Sequence, residues 1–215
     1  MRALSKRVVT RLSSAELIES ADDLAELLAD VVEGGSSLGF LAPLDREAAA
    51  DWWRGLAPAV AGGRLAVWAA RDDAGQRVSG TISVGFVDKP NGRHRAEILK
   101  LMVHSRARGR GLARTLLATA EHAAADAGVT LLVLDTETGS PAESLYRSGG
   151  WTAAGVIPDY AADPAGALHP TTLFFKKMSG SGAPQPDERD QLDEPDRPVQ
   201  PPDPAPQYRS AARYA

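Results

Sequence analysis

The spacing of apolar residues predicts four helices along the chain. The clearest covers residues 112–127, where apolar positions recur every three or four residues and Gly128 follows as a C-terminal cap. Its apolar positions fall on one face, as expected for a helix that packs against a sheet. Three other helices are predicted from Ser13 or Ser14 to about Val32, after Asp45, and over Pro141–Ser148.

Alternating and continuous apolar runs predict six strands between and after these helices. The first two are joined by the turn signal Asp72-Asp73-Ala74-Gly75 and form a hairpin. The strand at residues 130–135 is almost wholly apolar, which is typical of a strand buried on both faces. The chain is therefore a mixed α and β protein. The predicted strands are Arg64–Ala70, Arg77–Val87, Arg95–Val103, Thr130–Asp135, Trp151–Val156 and Thr171–Lys177.

The composition changes abruptly at Ser179. Residues 179–215 hold eight of the fifteen prolines and an excess of acidic over basic residues, with almost no large apolar side chains. Such a segment cannot offset its ordering entropy by burial. We therefore expect one folded domain over residues 1–178 and a disordered tail over residues 179–215.

Composition also excludes several classes of site. With no cysteine, the chain has no disulfide, thiolate metal site or cysteine nucleophile. Its four histidines lack a paired spacing, so no metal site is expected. A net charge of −4 gives no general attraction to nucleic acid. No apolar run approaches the roughly 20 residues of a membrane span, nor does the N-terminus resemble a signal peptide. We expect a cytoplasmic protein without a membrane partner.

One segment combines glycine, arginine and a helix start, the elements of an anion site. Residues 96–103 form a predicted strand, and the loop Arg106-Ala-Arg108-Gly109-Arg110-Gly111 then leads directly into the helix beginning at Leu112. The first N–H groups of a helix have no internal partner, and together with the helix dipole they favour an anion. Arginine adds bidentate recognition of phosphate. The segment therefore predicts a phosphate-binding loop.

A dinucleotide site is one alternative for this loop. Gly109 and Gly111 follow a strand, and Asp135 ends the next strand at the position expected for ribose binding. Arg114, however, occupies the place of the third glycine, and about five residues separate the strand from Gly109. The preceding strands also suggest an antiparallel meander instead of a parallel βαβ unit.

The loop also resembles the acetyl-CoA motif of the Gcn5-related N-acetyltransferase (GNAT) superfamily, Arg/Gln-x-x-Gly-x-Gly/Ala. Two registers fit: Arg106-x-x-Gly109-x-Gly111 and Arg108-x-x-Gly111-x-Ala113. The segment 144–151, SLYRSGGW, is similar to the family's Leu-Tyr-x-x-x-Gly-Phe signature, with Trp151 in the aromatic place. The order of predicted elements through residue 178 matches as well. The resemblance implies an acyl-CoA N-acyltransferase fold: a mixed, mainly antiparallel sheet flanked by helices.

The resemblance implies acetyl-CoA as cosubstrate, no metal, and direct acetyl transfer to an amine. The pantetheine arm would lie where the strand at 96–103 separates from that at 130–135. Glu97 is the candidate general base and Tyr146 the candidate acid, because transfer requires an amine to lose a proton and a thiolate to gain one. The predicted cofactor-binding residues are Leu101, Met102 and Val103 for pantetheine, and Arg108, Gly109, Arg110, Gly111, Leu112 and Ala113 for the pyrophosphate.

The acceptor is less defined. Segments 134–143, 158–161 and 171–177 are similar to the tabtoxin-resistance type, which implies a small-molecule amine such as an antibiotic or toxin. Asp135, Glu137 and Asp159 form an acidic set that could face a cationic amine. Alternatives are a protein N-acetyltransferase and a non-catalytic module that senses acetyl-CoA, and a homodimer is left open. Gly139 departs from the family pattern, which often places a cofactor-binding asparagine there; the contact made by that side chain is therefore absent or made by a backbone amide.

Overall fold

A computed structural model describes residues 8–72 and 77–178 and contains one seven-stranded sheet. The strand order is β1-β2-β3-β4-β5-β7-β6; β4 and β5 pair in parallel, and the other neighbouring strands of this sheet pair antiparallel. The strands are β1 (Val9–Leu12), β2 (Leu65–Arg71), β3 (Val78–Phe86), β4 (Arg95–Val103), β5 (Leu131–Glu137), β6 (Thr152–Ala162) and β7 (Leu168–Lys177). The helices are α1 (Ser14–Glu19), α2 (Ala21–Glu33), α3 (Arg46–Gly55), α4 (Ala57–Ala61), α5 (Leu112–Asp126) and α6 (Pro141–Ser148). This mixed, mainly antiparallel sheet flanked by helices confirms the predicted fold class.

Helices on the two faces of the sheet enclose two separate hydrophobic clusters. Helices α1 to α4 cover one face over β1 to β4, with Leu24, Leu28 and Trp53 wholly buried. Helices α5 and α6 cover the other face, where Leu116 and Leu132 are wholly buried. Side chains of successive strand residues point to opposite faces, so β1 to β4 contribute to both clusters, whereas β5, β6 and β7 contribute only to the second. On the first face, the helical cluster does not extend over β5, β7 and β6.

The two upstream helices are each divided, which corrects the prediction of a single helix in each place. The first bends at Ser20, whose ψ is 0° and whose hydroxyl accepts a hydrogen bond of 2.8 Å from Arg71 on β2. The second ends at Gly55 and restarts as α4 after Leu56. Pro58 explains this break because it has no N–H to continue the hydrogen-bond ladder of α3.

Strand boundaries differ from the sequence prediction at both edges of the sheet. The edge strand β1, which the sequence analysis did not predict, pairs antiparallel with β2. Strands β6 and β7 extend towards each other beyond their predicted ends, because β6 continues through an irregular stretch between Ile157 and Ala161 in which Asp159 has φ 50°. The predicted tail and most of the predicted turn at residues 72–75 lie outside the described residues.

Candidate active site

Strands β4 and β5 separate partway along their length and leave a gap in the sheet. Their pairing covers Arg95 to Glu97 on β4 and Leu131 to Val133 on β5, and both strands continue beyond it. Met102 and Val103 pair with β3, and Leu101 lies in an irregularity of that pairing. No residue of β5 pairs with any of the three. The side chain of Met102 is buried beneath α2 and α3, so only its backbone can face the gap.

A β-bulge lies on β4 beside the gap. Thr81 of β3 pairs with Met102 and Ser83 pairs with Leu99, so two β4 residues oppose one residue of β3. Lys100 is one of the two and has φ 50°, a left-handed value that is uncommon for a lysine. The bulge changes the alternation of side chains along β4. As a result Leu101 packs with the α5 side of the sheet, whereas Leu99 and Met102 pack with the α2 side.

The predicted phosphate loop connects the end of β4 to α5. Gly109 and Gly111 have φ 72° and 76°, and an added Cβ at either position would meet nothing within 4 Å. Glycine is therefore required by the backbone angle, not by crowding. Gly111 caps α5, whose first free N–H groups belong to the next residues. Leu112 is buried in the core, so only its amide is available to a ligand, while Arg108, Gly109, Arg110 and Gly111 are exposed.

An acidic anchor on α2 holds the start of this loop. Asp30 accepts hydrogen bonds of 2.7 Å from both the backbone N–H and the hydroxyl of Ser105. Partial burial would raise the pKa of Asp30, but the Ser105 hydrogen bonds and the nearby His104 and Arg108 outweigh it and lower the pKa. The anchor therefore stays ionised at neutral pH.

The arginines of the loop are not equivalent. Arg106 points back towards α2, with Nη1 at 2.8 Å from His104 Nε2 and 3.7 Å from Glu26. Arg108 donates from Nε to the Val103 carbonyl at 3.2 Å, next to the gap. His104 is thereby engaged on both ring nitrogens, since its Nδ1 lies 3.2 Å from Asp30. Arg106 and His104 thus belong to the anchor of the loop.

A cavity of about 310 Å³ opens over β5, β7 and β6, the part of the first sheet face that α1 to α4 do not cover. Glu97 and Asp135 provide its two carboxylates, and Tyr160 contributes a phenol. The other lining residues are apolar, which suits an organic molecule with a single polar head. The cavity is lined by Glu97, Val133, Leu134, Asp135, Ala154, Tyr160, Leu173, Phe174 and Phe175.

The two carboxylates share one electrostatic environment. Burial raises the pKa of Glu97, and the charge of Asp135 raises it further, while Arg95 and Lys100 act in the opposite direction. Loss of solvent around Asp135 raises its pKa too, against the influence of Lys100. A carboxylate with a raised pKa is a stronger proton acceptor near neutral pH. Of the predicted acidic set, only Asp135 lines the cavity; Glu137 lies near His169, and Asp159 is exposed.

Tyr146 lies on α6, on the other face of the sheet, and is 5% exposed. Its ring contacts Trp151 and Phe174 at centroid distances of 5.8 and 6.1 Å. Burial, together with the negative charge of Asp135, raises the pKa of the Tyr146 hydroxyl well above its usual value. The phenol therefore keeps its proton at neutral pH and can serve as a donor.

A carboxylate at the N-terminus of α6 fixes the helix that carries Tyr146. Glu143 Oε2 accepts from the Gly139 amide at 2.6 Å, and its Oε1 accepts from Arg147 at 2.7 Å and from Thr172 at 3.2 Å. These hydrogen bonds lower the pKa of Glu143. The Gly139 amide is thus already used and does not replace the missing asparagine. Sequence reasoning missed this role, although the Ser140-x-x-Glu143 spacing is a capping-box signal.

Trp52 and Trp53 are neighbours on α3, and successive side chains of a helix project in different directions. Trp53 is wholly buried in the core, whereas Trp52 is half-buried and contacts the Phe40 ring at 5.3 Å. Trp52 also lies 5.3 Å from the Lys100 ammonium.

The sequence analysis missed Asp30 and Lys100 because their partners are distant in sequence.

Residues 8–72 and 77–178 contain no group of three His, Asp or Glu side chains that could hold a metal ion. None of the helices in these residues is long and apolar enough to cross a membrane.

Comparison with known proteins places this architecture among acetyltransferases. A model of the acetyltransferase (GNAT) family matches residues 36–151. A phosphinothricin acetyltransferase from Sinorhizobium meliloti in complex with acetyl-CoA aligns with a TM-score of 0.67 and 17% identity, covering 85% of this chain and 94% of its own. A ribosomal-protein-alanine N-acetyltransferase from Brucella melitensis aligns with a TM-score of 0.62 and 26% identity, covering 80% of this chain and 99% of its own. An acetyltransferase from Salmonella typhimurium with its cofactor acetyl-CoA aligns with a TM-score of 0.63 and 19% identity, covering 84% of this chain and 99% of its own.

Proposed function

Because the chain belongs to the acetyltransferase (GNAT) family, we propose that it transfers an acetyl group from acetyl-CoA to the amine of a small molecule. The observation that carries the proposal is the gap between β4 and β5, with a candidate base on one side and a candidate acid on the other. Glu97 and Tyr146 belong to opposite faces of the sheet, and Asp135 acts electrostatically on both.

The residues around the gap fit acetyl-CoA. The backbone of Leu101, Met102 and Val103 has no β5 partner and can hydrogen-bond an extended pantetheine arm as a strand would. Residues 108–113 lead into the N-terminus of α5, whose first N–H groups have no partner within the helix and can bind the pyrophosphate. We assign the motif to the register Arg108-x-x-Gly111-x-Ala113, because Arg106 is held by His104 and Glu26.

Glu97 and Tyr146 divide the proton transfers between them. Acetyl-CoA supplies a thioester, whose carbonyl carbon is the electrophile. Glu97 removes a proton from the acceptor ammonium, and burial suits it to that role by raising its pKa. Tyr146, which burial keeps protonated at neutral pH, donates its proton to the sulfur as the C–S bond breaks, and the resulting phenolate then takes up a proton from solvent. N–H groups of β4 at the gap stabilise the developing oxyanion.

The cavity favours a small acceptor with one ammonium and an apolar body. Its volume of about 310 Å³ accommodates a small molecule, and its two carboxylates lie together at Glu97 and Asp135. This agrees with an acceptor of the antibiotic or toxin class that the tabtoxin-resistance resemblance implies. A second candidate, acetylation of a protein N-terminus, is favoured by the 26% identity to the ribosomal-protein-alanine N-acetyltransferase.

The proposal is tested first by ligand binding. Acetyl-CoA, CoA and NADPH are compared in thermal unfolding, where a hundredfold excess over Kd stabilises by about 2.7 kcal/mol and raises Tm by roughly 5–10 °C. We expect a shift with both CoA species and none with NADPH. The opposite pattern would overturn the proposal and favour a dinucleotide site.

Turnover is then measured as thiol release with a panel of small amines and with an alanine-initiated peptide. Release with a small amine supports the first candidate, and release with the peptide alone supports the second. CoA binding without release from either group of acceptors would instead favour a sensing module.

A further inference from the structure

The ring of Tyr146 is held between two aromatic side chains. Trp151 lies edge-on to it, with 5.8 Å between the ring centroids and 63° between the ring planes, and Phe174 lies 6.1 Å away. All three residues are at most 5% exposed. Within residues 8–72 and 77–178, no group forms a hydrogen bond with the Tyr146 hydroxyl. The direction of this phenol is therefore set by the packing of its ring.

Trp151 is itself fixed by a carboxylate on another helix. Its indole Nε1 donates to Glu121 Oε1 of α5 at 2.8 Å, and its backbone N–H donates to the Tyr146 carbonyl at 3.1 Å. The indole has one donor, which lies in the plane of the ring, so this hydrogen bond restrains how the ring can turn. The contact needs tryptophan here, because the phenylalanine of the family signature that this segment resembles has no N–H to donate.

The second oxygen of Glu121 is engaged as well. Oε2 accepts from Lys176 Nζ of β7 at 2.7 Å, and Lys176 also donates to the Gly149 carbonyl at 2.9 Å. The Glu121 side chain is largely buried, where hydrogen bonds to a charged acceptor are stronger than in water. Glu121 thus joins α5 to β7 and to the turn at residues 149–151 that follows α6.

These contacts connect the two halves of the candidate site. Helix α5 begins at Leu112, where its free N–H groups would bind the pyrophosphate, and Glu121 lies further along the same helix. The residues of one α-helix keep fixed distances from each other. Glu121 therefore relates the candidate acid to the element that would hold the cofactor.

We propose that Glu121 is a positioning residue, which orients the phenol of Tyr146 through the indole of Trp151. The inference rests on the proposed function for its catalytic consequence, because that function makes Tyr146 the proton donor. The orientation of the ring, in contrast, is a property of the free protein. Positioning of a donor acts on the chemical step, so it should change kcat more than the KM for acetyl-CoA.

The orientation is tested first without any ligand, by NMR of the full chain. Nuclear Overhauser contacts between the rings of Tyr146 and Trp151 are compared in the wild type and in Glu121→Ala. Resonances are assigned with Tyr146→Phe and Trp151→Phe. In Glu121→Ala we expect the ring contacts to change and the Trp151 indole N–H to exchange faster with solvent. An unchanged set of ring contacts would overturn the proposal.

The catalytic consequence is measured as thiol release from acetyl-CoA, with the small amine of the panel that gives the fastest release. In Glu121→Ala, kcat should fall on the order of tenfold, less than the roughly 100-fold that a 1 Å misplacement can cost, while the KM for acetyl-CoA stays within about twofold. In a Tyr146→Phe background the same substitution should cause no further loss, because the donor that it positions is gone. An equal loss in both backgrounds would show a general structural effect and overturn the proposal.

A double variant separates the indole contact from the ion pair. Glu121→Gln combined with Lys176→Met removes both charges but leaves an oxygen that can accept from the Trp151 indole. It should recover most of the kcat that Glu121→Ala loses. A double variant no more active than Glu121→Ala would assign the effect to the ion pair, against the proposal.

Asp23→Ala is the matched control for loss of stability. Asp23 on α2 pairs with Arg71 of β2 at 3.1 Å, so it is also a helix carboxylate bound to a strand cation, but on the opposite face of the sheet. The substitution should lower Tm and leave kcat unchanged. A loss of kcat as large as that of Glu121→Ala would show that kcat follows stability and would overturn the proposal.

The outcomes separate this inference from the proposed function. Altered ring contacts in Glu121→Ala, in a protein that releases no thiol from acetyl-CoA with any acceptor, would refute the proposed function and support the positioning of the ring. Equal thiol release by the wild type and Tyr146→Phe would exclude Tyr146 as the donor and refute the catalytic consequence.

Discussion

Asp30 offers a direct test of how the predicted phosphate-binding loop is held. Asp30→Ala removes two hydrogen bonds of 2.7 Å to Ser105, one from the backbone and one from the hydroxyl. Hydrogen bonds to a charged group contribute about 1.5–3 kcal/mol each. The Asp30 side chain is 20% exposed, and water partly replaces the lost partners. We therefore expect a total loss of about 2 kcal/mol, below the sum of two fully buried bonds.

Two measurements separate the loop from the rest of the fold. If losing the two Ser105 hydrogen bonds destabilises only the binding-competent conformation of the loop, CoA affinity measured by calorimetry falls. A change of about 2 kcal/mol lowers that affinity by up to about 30-fold, since 1.4 kcal/mol corresponds to a factor of ten. If the whole domain loses the same free energy, Tm falls by about 4–8 °C. Ser105→Ala, which removes only the hydroxyl, should give a smaller loss of affinity.

Asp163→Ala is the matched control because Asp163 makes similar contacts in another loop. It accepts hydrogen bonds of 2.9 Å from the amides of Ala165 and Ala167, in the turn between β6 and β7. It should lower Tm without changing the Kd of CoA. An Asp30→Ala protein that loses Tm but binds CoA within twofold of the wild type would refute the anchoring argument.

Three further substitutions test the site. Tyr146→Phe keeps the ring contacts but removes the proton donor, so kcat should fall by about 10²–10⁴-fold, and wild-type kcat would exclude Tyr146 as the acid. Glu97→Gln should reduce kcat/KM most at low pH, where the amine is protonated and needs the base; an unchanged pH profile would remove Glu97 from the mechanism. Glu143→Gln should lower Tm at pH 7, because the Glu143 pKa is lowered in the folded state and its contribution is present above about pH 4.5. That difference in Tm should shrink as the pH falls through the lowered pKa, and a difference that grows in acid would contradict this account.

Local patterns predicted the elements whose formation depends mainly on their own residues. The bounds of β4 and α6 match the prediction, and α5 differs by one residue, because alternation, a proline start and a glycine stop are all encoded locally. The left-handed glycines at 109 and 111 also follow from the sequence, since the loop must turn directly into a helix.

Features that depend on distant partners could not be predicted in this way. Strand β1 has only four residues and is defined by its pairing with β2. The bend at Ser20 coincides with a hydrogen bond from Arg71, fifty-one residues away. The bulge at Lys100 is visible only in the register between β3 and β4. In each case tertiary contacts decide between conformations that the local sequence allows about equally.

The uncovered sheet face has a consequence for how this protein can diversify. Val133, Leu173 and Phe175 line the cavity, yet none of them belongs to either hydrophobic cluster. Replacing them alters the shape of the cavity without creating voids in the two cores, where the cost of lost volume would be greatest. On the proposed function, in which the cavity binds the acceptor, acceptor preference can therefore change by single substitutions. A combinatorial library at these three positions should retain cooperative unfolding in most of its members.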